Sequence, residues 1–337
     1  MKVLITGGAG YIGSTVAFAL SDEGIDSVIL DDLSTGRPEF LHDRPFYEGD
    51  VADGALIDQI FTEHPDISVT LHCAAKVGVP EAMSHPLDFY RENVGKTIDL
   101  LIALQRNGCE RVVFSSSAVI YAAGAGVCVD ESAPVKPTSP YPRTKRMVEQ
   151  VLEDWTASAP VRAISLRYFS PLGADPKLRS GLQSPNSPYV LSRLIEAHVS
   201  DTPFTITGID WPTRDGSAIR DFIHVWDVAR AHVAALLSFD SVVAPSADRR
   251  YQVINIGAGE GTTIRELVSI FENVIAAKLE VREAGPKSGD VVGCYASRTK
   301  ARDLLGWSPE MSIAEAVRDG LAWRKQWAHQ TAEKHAC

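Results

Sequence analysis

The chain has 337 residues, 45% hydrophobic and 23% charged, an ordinary globular composition long enough for one large domain or two. Its formal net charge of −10 argues against nucleic acid or an anionic membrane as a main partner, and any anionic ligand must be met by local positive charge or backbone N–H groups. The five cysteines (Cys73, Cys109, Cys128, Cys294 and Cys337) are scattered with no C-x-x-C, a pattern that fits reduced thiols in a cytoplasm and not a metal site or a disulfide framework, and no apolar run is long enough to span a membrane.

Lys2–Thr6 reads as a short buried strand, followed at once by Gly7-Gly8-Ala9-Gly10-Tyr11-Ile12-Gly13. Met1 to Ile5 run straight into that turn, so no signal peptide is expected. Ile12, Val16 and Leu20 then recur at helical spacing, and Gly24 supplies a stop. Strand, glycine turn and helix make a dinucleotide cradle. Gly7, Gly10 and Gly13 permit a tight turn, close approach to a pyrophosphate and close helix–strand packing, while the helix start offers N–H groups to phosphates. Tyr11 and Ile12 lie in that cradle. A second strand, Ser27–Leu30, ends in Asp31-Asp32. An acid at this tip suits the two hydroxyls of an adenosine ribose and repels a 2′-phosphate, so NAD is expected over NADP. Asp31 is the candidate, and Asp32 reads as a solvated strand end.

Pro45–Glu48 leads to Gly49-Asp50-Val51, where Asp50 either accepts from an adenine amino group or caps the next helix. Ser68–Ala75 is an apolar strand whose small residues, Ala74 among them, leave room for a cofactor. A helix is expected around Tyr90–Arg106, carrying Asn93, and a strand over Arg111–Phe114 feeding Ser115-Ser116-Ser117. Helix Arg143–Trp155 and strand Val161–Leu166 follow. Repeated strand–helix units predict an α/β fold, a Rossmann-type doubly wound parallel sheet with helices on both faces. Ligands of such sheets bind outside the carboxyl ends of the strands, so Asp31, Asp50, Ala74, Ser117 and Arg167–Ser170 face one crevice.

Tyr141 and Lys145 stand four residues apart at the start of the Arg143–Trp155 pattern, with Pro140 and Pro142 suited to a first helical turn. Positions i and i+4 share a helix face. The Lys145 ammonium is therefore expected near the Tyr141 phenol, lowering its pKa from about 10. A phenol nearer neutrality can take a proton from a sugar or alcohol hydroxyl and return it. Such pairs are common surface features of helices, and this one gains meaning from the nicotinamide site built before it.

Beyond Phe169 the alternation breaks. Pro171–Ser187 reads as loop, then helix Tyr189–Val199 and strand Thr205–Thr207. His224 lies in an apolar segment and reads as a packed core histidine. Helix Val228–Leu237 has core spacing, and Ser241–Arg250 reads as a surface loop. Thr263 with Glu266, and Ser312 with Glu315, form capping boxes. Trp323 and Trp327 form an i, i+4 pair suited to packing.

Taken together, the residues resemble the extended short-chain dehydrogenase/reductase family, and within it the UDP-glucose (UDP-galactose) 4-epimerase branch. The matching stretches are Thr6–Ser14, Gly49–Val51, Phe114–Ala118, Ser139-Pro140-Tyr141 with Lys145, Leu166–Phe169, Pro212–Gly216, Arg220–Val225, Asn255–Gly257, Gly289–Val291 and Leu305–Trp307, in the expected order over nearly the whole chain. The resemblance implies an NAD-binding domain over 1–170 and a mainly nucleotide-sugar-binding domain over 171–337, the chain crossing back around 220–260. It implies NAD held tightly and not consumed, with Gly7, Gly10, Tyr11, Ile12, Gly13, Asp31, Asp50, Val51, Ala74, Asn93, Ser115, Tyr141, Lys145 and Tyr168 around it. It also implies 4-epimerisation of a UDP-hexose through a transient 4-keto sugar. Tyr141 would exchange the 4-OH proton, Ser117 would share in the relay, and Lys145 would bond the nicotinamide ribose. Sugar 4,6-dehydratases carry an Asp-Glu pair after the Ser/Thr; this chain has Ala118-Val119, so elimination lacks its acid and base.

On the substrate side the resemblance places Ser117, Tyr141, Ser170, Asn186, Thr205, Thr207, Arg220, Lys287, Asp290 and Cys294. Arg220 suits the UDP diphosphate through its fork of donors. Several positions depart from the branch: Ser170 replaces an Asn, Pro185-Asn186 replaces an Asn-Asn pattern, Lys287 an Arg, Pro142 a Gly, and Thr207 stands where an aromatic often lies near the uracil. Cys294 aligns with a gatekeeper position, and its small volume predicts a pocket that admits a sugar larger than glucose, N-acetylated or a uronate. The resemblance also implies a homodimer built through helices near Tyr90–Arg106 and Arg143–Trp155, acting in the cytoplasm. Two other readings are another nucleotide-sugar epimerase or reductase, and a non-catalytic dinucleotide sensor; the joint presence of Ser117, Tyr141 and Lys145 speaks against the sensor.

Overall fold

The computed structural model describes residues 1–122, 127–182, 189–246, 250–286 and 290–336. The first half alternates as expected: β1 (Lys2–Thr6), α1 (Tyr11–Asp22), β2 (Asp26–Asp31), β3 (Phe46–Glu48), α2 (Gly54–Glu63), β4 (Ile67–His72), two short helices α3 (Val79–Ser84) and α4 (Pro86–Tyr90), α5 (Lys96–Arg106), β5 (Arg111–Ser117), β6 (Val127–Val129), α6 (Pro140–Ser158) and β7 (Arg162–Tyr168). The helix expected around Tyr90–Arg106 begins earlier, at Pro86, and passes through a π turn at Arg91–Gly95 before α5. The strand expected over Ser68–Ala75 ends at His72.

The second half brings β8 (Ser170–Leu172), α7 (Val190–Val199), β9 (Phe204–Thr207), β10 (Ile219–Arg220), β11 (Phe222–His224), α8 (Val225–Leu237), α9 (Phe239–Val242), β12 (Tyr251–Ile256), β13 (Thr262–Thr263), α10 (Ile264–Ile275), β14 (Val281–Ala284), β15 (Cys294–Ala296), α11 (Thr299–Leu305) and α12 (Ile313–Ala336). The loop expected over Ser241–Arg250 is in part a correction: Val242 and Val243 are buried against α8, and apolar burial there closes a helical turn where composition suggested exposed chain. β8 likewise interrupts the expected loop after Pro171.

Seven parallel strands form the central sheet in the order β3-β2-β1-β4-β5-β7-β12. β1 lies inside it, so both its faces are buried. Val3 and Ile5 enter one core with α1 and α8, while Leu4 enters the other with α2, α5 and α6. That two-residue alternation explains why the strand reads as a continuous apolar run. The direction of winding reverses between β1 and β4, which opens the crevice used by ligands in such sheets. A third core, around Leu194, Phe204, Phe222 and Phe271, joins α7, β9, β11 and α10 with α12. The chain returns to the first core at α8, and β12 pairs with β7.

Candidate active site

The expected cofactor residues converge at the carboxyl end of the sheet. Gly7 adopts φ +71°, and a Cβ there would lie 2.6 Å from Ala74 N, so the turn after β1 lies directly against the chain leaving β4. A Cβ on Gly13 would lie 2.2 Å from the Gly7 carbonyl oxygen. Helix α1 starts at Gly10 with no side-chain cap, which leaves its first N–H groups facing the crevice. Asp31 closes the turn from the side: Oδ2 accepts from Ala9 N and Oδ1 from Leu33 N, both at 2.9 Å. Burial raises this carboxyl, against the pull of those two bonds. Tyr11 gives its hydroxyl to Gly173 O at 2.8 Å, and Ile12 packs on the core. A turn without side-chain bulk, a helix start without a cap and an acid at the tip of β2 together fit a dinucleotide.

Asp50 does not cap α2; Asp53 does, accepting from Ala55 N and Leu56 N. Asp50 instead takes Lys96 Nζ at 2.6 Å and Ala52 N at 2.9 Å. Burial raises its carboxyl, but these bonds outweigh burial and hold it below the usual range. Val51 packs on the core beneath. Asn93 sits in the π turn and is a staple: its Oδ1 accepts from Lys76 N, and its Nδ2 donates to Lys76 O and to Thr144 Oγ1 on α6. Single π turns of this kind recur at functional sites.

Ser117 ends β5 and Tyr141 lies in the first turn of α6, with the Ser117 side chain near enough to favour the ionised phenol. The Tyr141 ring, half-buried, meets Phe89 edge-on with centroids 6.4 Å apart. Lys145 is buried; its Nζ donates to Ser115 O at 2.8 Å and lies 4.9 Å over the Phe114 ring. Here the structure corrects the sequence reading. Burial, with Tyr189 as a second cause, pushes the Tyr141 phenol above its ordinary value, opposed by Ser117, and Lys145 directs its proton to β5 instead of along the helix face. Burial also lowers Lys145, to about 8. Four-residue spacing sets the face of a helix, but the end of a long lysine goes to the nearest buried acceptor. Tyr168 ends β7, its hydroxyl bonded to His232 Nε2.

The substrate-side candidates are more dispersed. Ser170 lies in β8, bonded through its N–H to Asp221 O, and Thr205 and Thr207 lie half-buried in β9. Arg220 gives Nη1 to the carbonyls of Ile219, Val291 and Val292, with Asp290 close enough to act on its charge. Its neighbour Asp221 is no surface partner: it is buried and accepts from the N–H groups of Ala258, Gly259 and Ala296. Cys294 packs half-buried against a cluster of Ala118, Tyr121 and Val129 that Phe169 also joins. Asn186 and Lys287 lie outside the described residues. His224 is a core residue, as read: Nδ1 accepts from Trp226 N and Nε2 meets Asp319. Among the described residues no group of His, Cys, Asp or Glu is placed to hold a metal ion, and no helix is long and apolar enough to cross a membrane.

Sequence reasoning missed the groups behind these residues. His72, at the end of β4, receives the Thr6 hydroxyl proton at Nδ1 (2.7 Å) and donates from Nε2 to Thr97 Oγ1 (2.9 Å), because Thr97 gives its own proton to Asn93 O. His232 donates from Nδ1 to Val228 O and accepts the Tyr168 proton at Nε2. Both rings are therefore held neutral. Burial, with the Lys145 charge as a second cause, lowers His72 to about 3, and burial lowers His232 to about 4. The unfolded chain binds these protons near pH 6.5 and the folded chain does not, so stability present above pH 6.5 is lost as pH falls toward 4. Asp221, raised by burial to about 6, opposes this in part because the folded state takes its proton first. In urea titrations between pH 6.5 and 4.5, we expect His232→Gln to flatten the pH dependence of unfolding free energy by about 1.4 kcal/mol per pH unit. An unchanged slope would mean that His232 titrates normally in the fold.

The sequence profile of the NAD dependent epimerase/dehydratase family matches residues 3–257. A UDP-glucose 4-epimerase of Azospirillum brasilense is 39% identical over 330 residues, covering 96% of this chain and 92% of that protein. A UDP-glucose-4-epimerase from Stenotrophomonas maltophila, crystallised with bound NAD and formylated UDP-arabinopyranose, superposes with a TM-score of 0.92 at 32% identity, over 98% of this chain and 99% of that one. The Bifidobacterium longum UDP-glucose 4-epimerase, in complex with NAD+ and UDP, gives 0.88 at 29% identity, over 97% and 98%.

Proposed function

This chain belongs to the NAD dependent epimerase/dehydratase family, and from that premise we propose that it is a UDP-hexose 4-epimerase working with a captive NAD. The observation that carries the reading is the convergence of Ser117 at the end of β5, Tyr141 in the first turn of α6 and buried Lys145, bonded to Ser115 O, at the carboxyl end of a parallel sheet whose winding reverses between β1 and β4. NAD supplies reversible acceptance and return of hydride at sugar C4. The cradle from Gly7 to Gly13 would hold its pyrophosphate, Asp31 its adenosine ribose, and Lys145 its nicotinamide ribose. Tyr141 accepts the proton of the sugar 4-hydroxyl as C4 is oxidised and returns it after the sugar has turned, with Ser117 passing the proton between them. Net redox is nil. Burial raises the phenol further above neutrality, so proton removal would need the positive charge gathered at the site when cofactor and Lys145 are both in place.

The second unit holds the nucleotide. Arg220, beside Asp290, faces the diphosphate, with Lys287 as a second positive charge; Ser170, Asn186, Thr205 and Thr207 line the approach. Rotation of the keto sugar requires a firm grip on UDP and few contacts to the hexose. Cys294, packed against the cluster that contains Ala118, leaves volume where a bulky side chain would close the sugar space. We expect the enzyme to convert UDP-N-acetylglucosamine or UDP-glucuronate as well as UDP-glucose. Cys294→Tyr should lower kcat/KM on the larger sugar at least tenfold while UDP-glucose changes little, a difference of about 1.4 kcal/mol in transition-state binding. Strict use of UDP-glucose, unaltered by the substitution, would remove Cys294 from specificity.

The enzyme acts in the cytoplasm as a homodimer. Support for pairing comes from Ile98 and Ile102 on α5 and Met147 on α6, large apolar side chains left exposed on neighbouring helices. The decisive experiment for the activity is incubation with a panel of UDP-sugars without added NAD, followed by product analysis. Interconversion of a C4 pair supports the reading. Net release of NADH, or no product from any sugar, rejects it.

A further inference from the structure

One turn beyond Lys145, the same face of α6 carries a carboxylate to which the proposed chemistry gives no part. Glu149 is 0% exposed. Its Oε1 accepts from Ser116 Oγ at 2.7 Å and from Arg167 Nε at 2.8 Å; its Oε2 accepts from Arg167 Nη2 at 2.8 Å and Arg146 Nη1 at 3.3 Å. Arg167, 3% exposed, thus presents two parallel bonds, the geometry that makes an arginine–carboxylate pair directional as well as strong. Its Nη1 donates to Tyr121 Oη at 2.7 Å, and Tyr121 passes its own proton to Asn255 Oδ1 at 2.7 Å. Asn255 on β12 completes the chain, donating from Nδ2 to Val129 O and from its N–H to Glu131 Oε1.

Stability by itself is a poor account of such a pair. Removing two charges from water offsets most of their attraction, and well-packed apolar residues of similar volume often serve as well. What distinguishes the network is its placement. Ser116 precedes Ser117, Glu149 follows Lys145 by one turn, Arg167 precedes Tyr168, and Tyr121 closes the turn after Ser117 and stacks on Phe169. Charge-assisted bonds therefore hold β5, β7, β12 and α6 at one mutual setting, immediately behind every group proposed to handle the proton.

Resting on the epimerase reading of the site, we infer that Glu149 and Arg167 are a positioning pair that sets Tyr141 and Lys145 on α6 against Ser117 on β5 for proton exchange at the sugar C4 hydroxyl. Neither touches the sugar. Both act through the elements that carry the reacting groups, and a shift of about 1 Å in such geometry can cost on the order of 100-fold in rate.

The test is Glu149→Gln, Arg167→Met and the double variant in the full-length holoenzyme, assayed with UDP-glucose and UDP-galactose. Each single change is expected to lower kcat about 100-fold with KM within about threefold, the mark of an interaction used in the transition state and not in ground-state binding. The double variant should be no slower than the poorer single, since both remove one link. Ser116→Ala cuts only the bond between the carboxylate and β5, leaves the ion pair whole, and should lower kcat about tenfold. A purely structural pair would move the thermal midpoint but leave kcat of the folded protein within about threefold of wild type, and that result overturns the inference. Should the ion-pair variants not fold, Ser116→Ala decides by the same threshold. Wild-type protein that turns over no UDP-sugar would reject the reading of the site itself, before any variant is measured.

Discussion

Tyr141→Phe is expected to reduce epimerisation by about 10²- to 10⁴-fold, the range over which a positioned general acid–base group contributes. The substitution removes a single oxygen. The ring keeps its edge-on contact with Phe89 and its place in the first turn of α6. A hydroxyl hydrogen bond contributes only about 1 kcal/mol net to stability, so the thermal midpoint should move little and NAD should copurify as before. A loss of turnover with cofactor retained places the proton at this oxygen. Turnover within tenfold of wild type would remove Tyr141 from the mechanism and leave Ser117 as the nearest hydroxyl to test.

Gly13→Ala is expected to empty the cofactor site. The added Cβ would lie 2.2 Å from Gly7 O and 2.9 Å from both Gly7 C and Gly8 Cα, all of them backbone atoms that no rotamer change can move aside. Helix α1 must therefore retreat from the turn that cradles the pyrophosphate. Overpacking of this kind costs about 1–3 kcal/mol. Because the strain falls on the N–H groups that would meet the phosphates, we expect NAD affinity to drop at least tenfold, a loss of about 1.4 kcal/mol in binding. The measurement is NAD content of the purified variant, followed by titration with NAD under intrinsic fluorescence. Full occupancy and wild-type affinity would show that the turn tolerates the displacement, and the pyrophosphate would have to be sought elsewhere.

Much of the chain is legible from local pattern. The glycine turn between strand and helix, the acid closing β2, the capping box at Thr263 and Glu266 and the core reading of His224 all depend on contacts a few residues apart, or on the periodicity of an element with one buried face. What failed did so for nonlocal reasons. Of the two expectations for Asp50, the helix cap fails: Asp53 caps α2, and Asp50 pairs with Lys96 at the start of α5, 46 residues on. Lys145 was aimed at Tyr141 by its spacing, and it bonds Ser115 O across the gap to β5. The surface loop around Val243 closes instead over a core that only the packing of α8 creates.

What the sequence determined by itself was the order of elements and the chemical inventory: a dinucleotide turn, a Tyr/Lys helix and a serine at a strand end, each encoded in a short run of residues. What only the tertiary structure decided was which of those groups face one another. Glu149 and Arg167, 18 residues apart, join because α6 crosses back over adjacent parallel strands, and Tyr121 reaches Asn255 across 134 residues. Which buried donors and acceptors come within reach of one another is settled by the packing of the whole sheet.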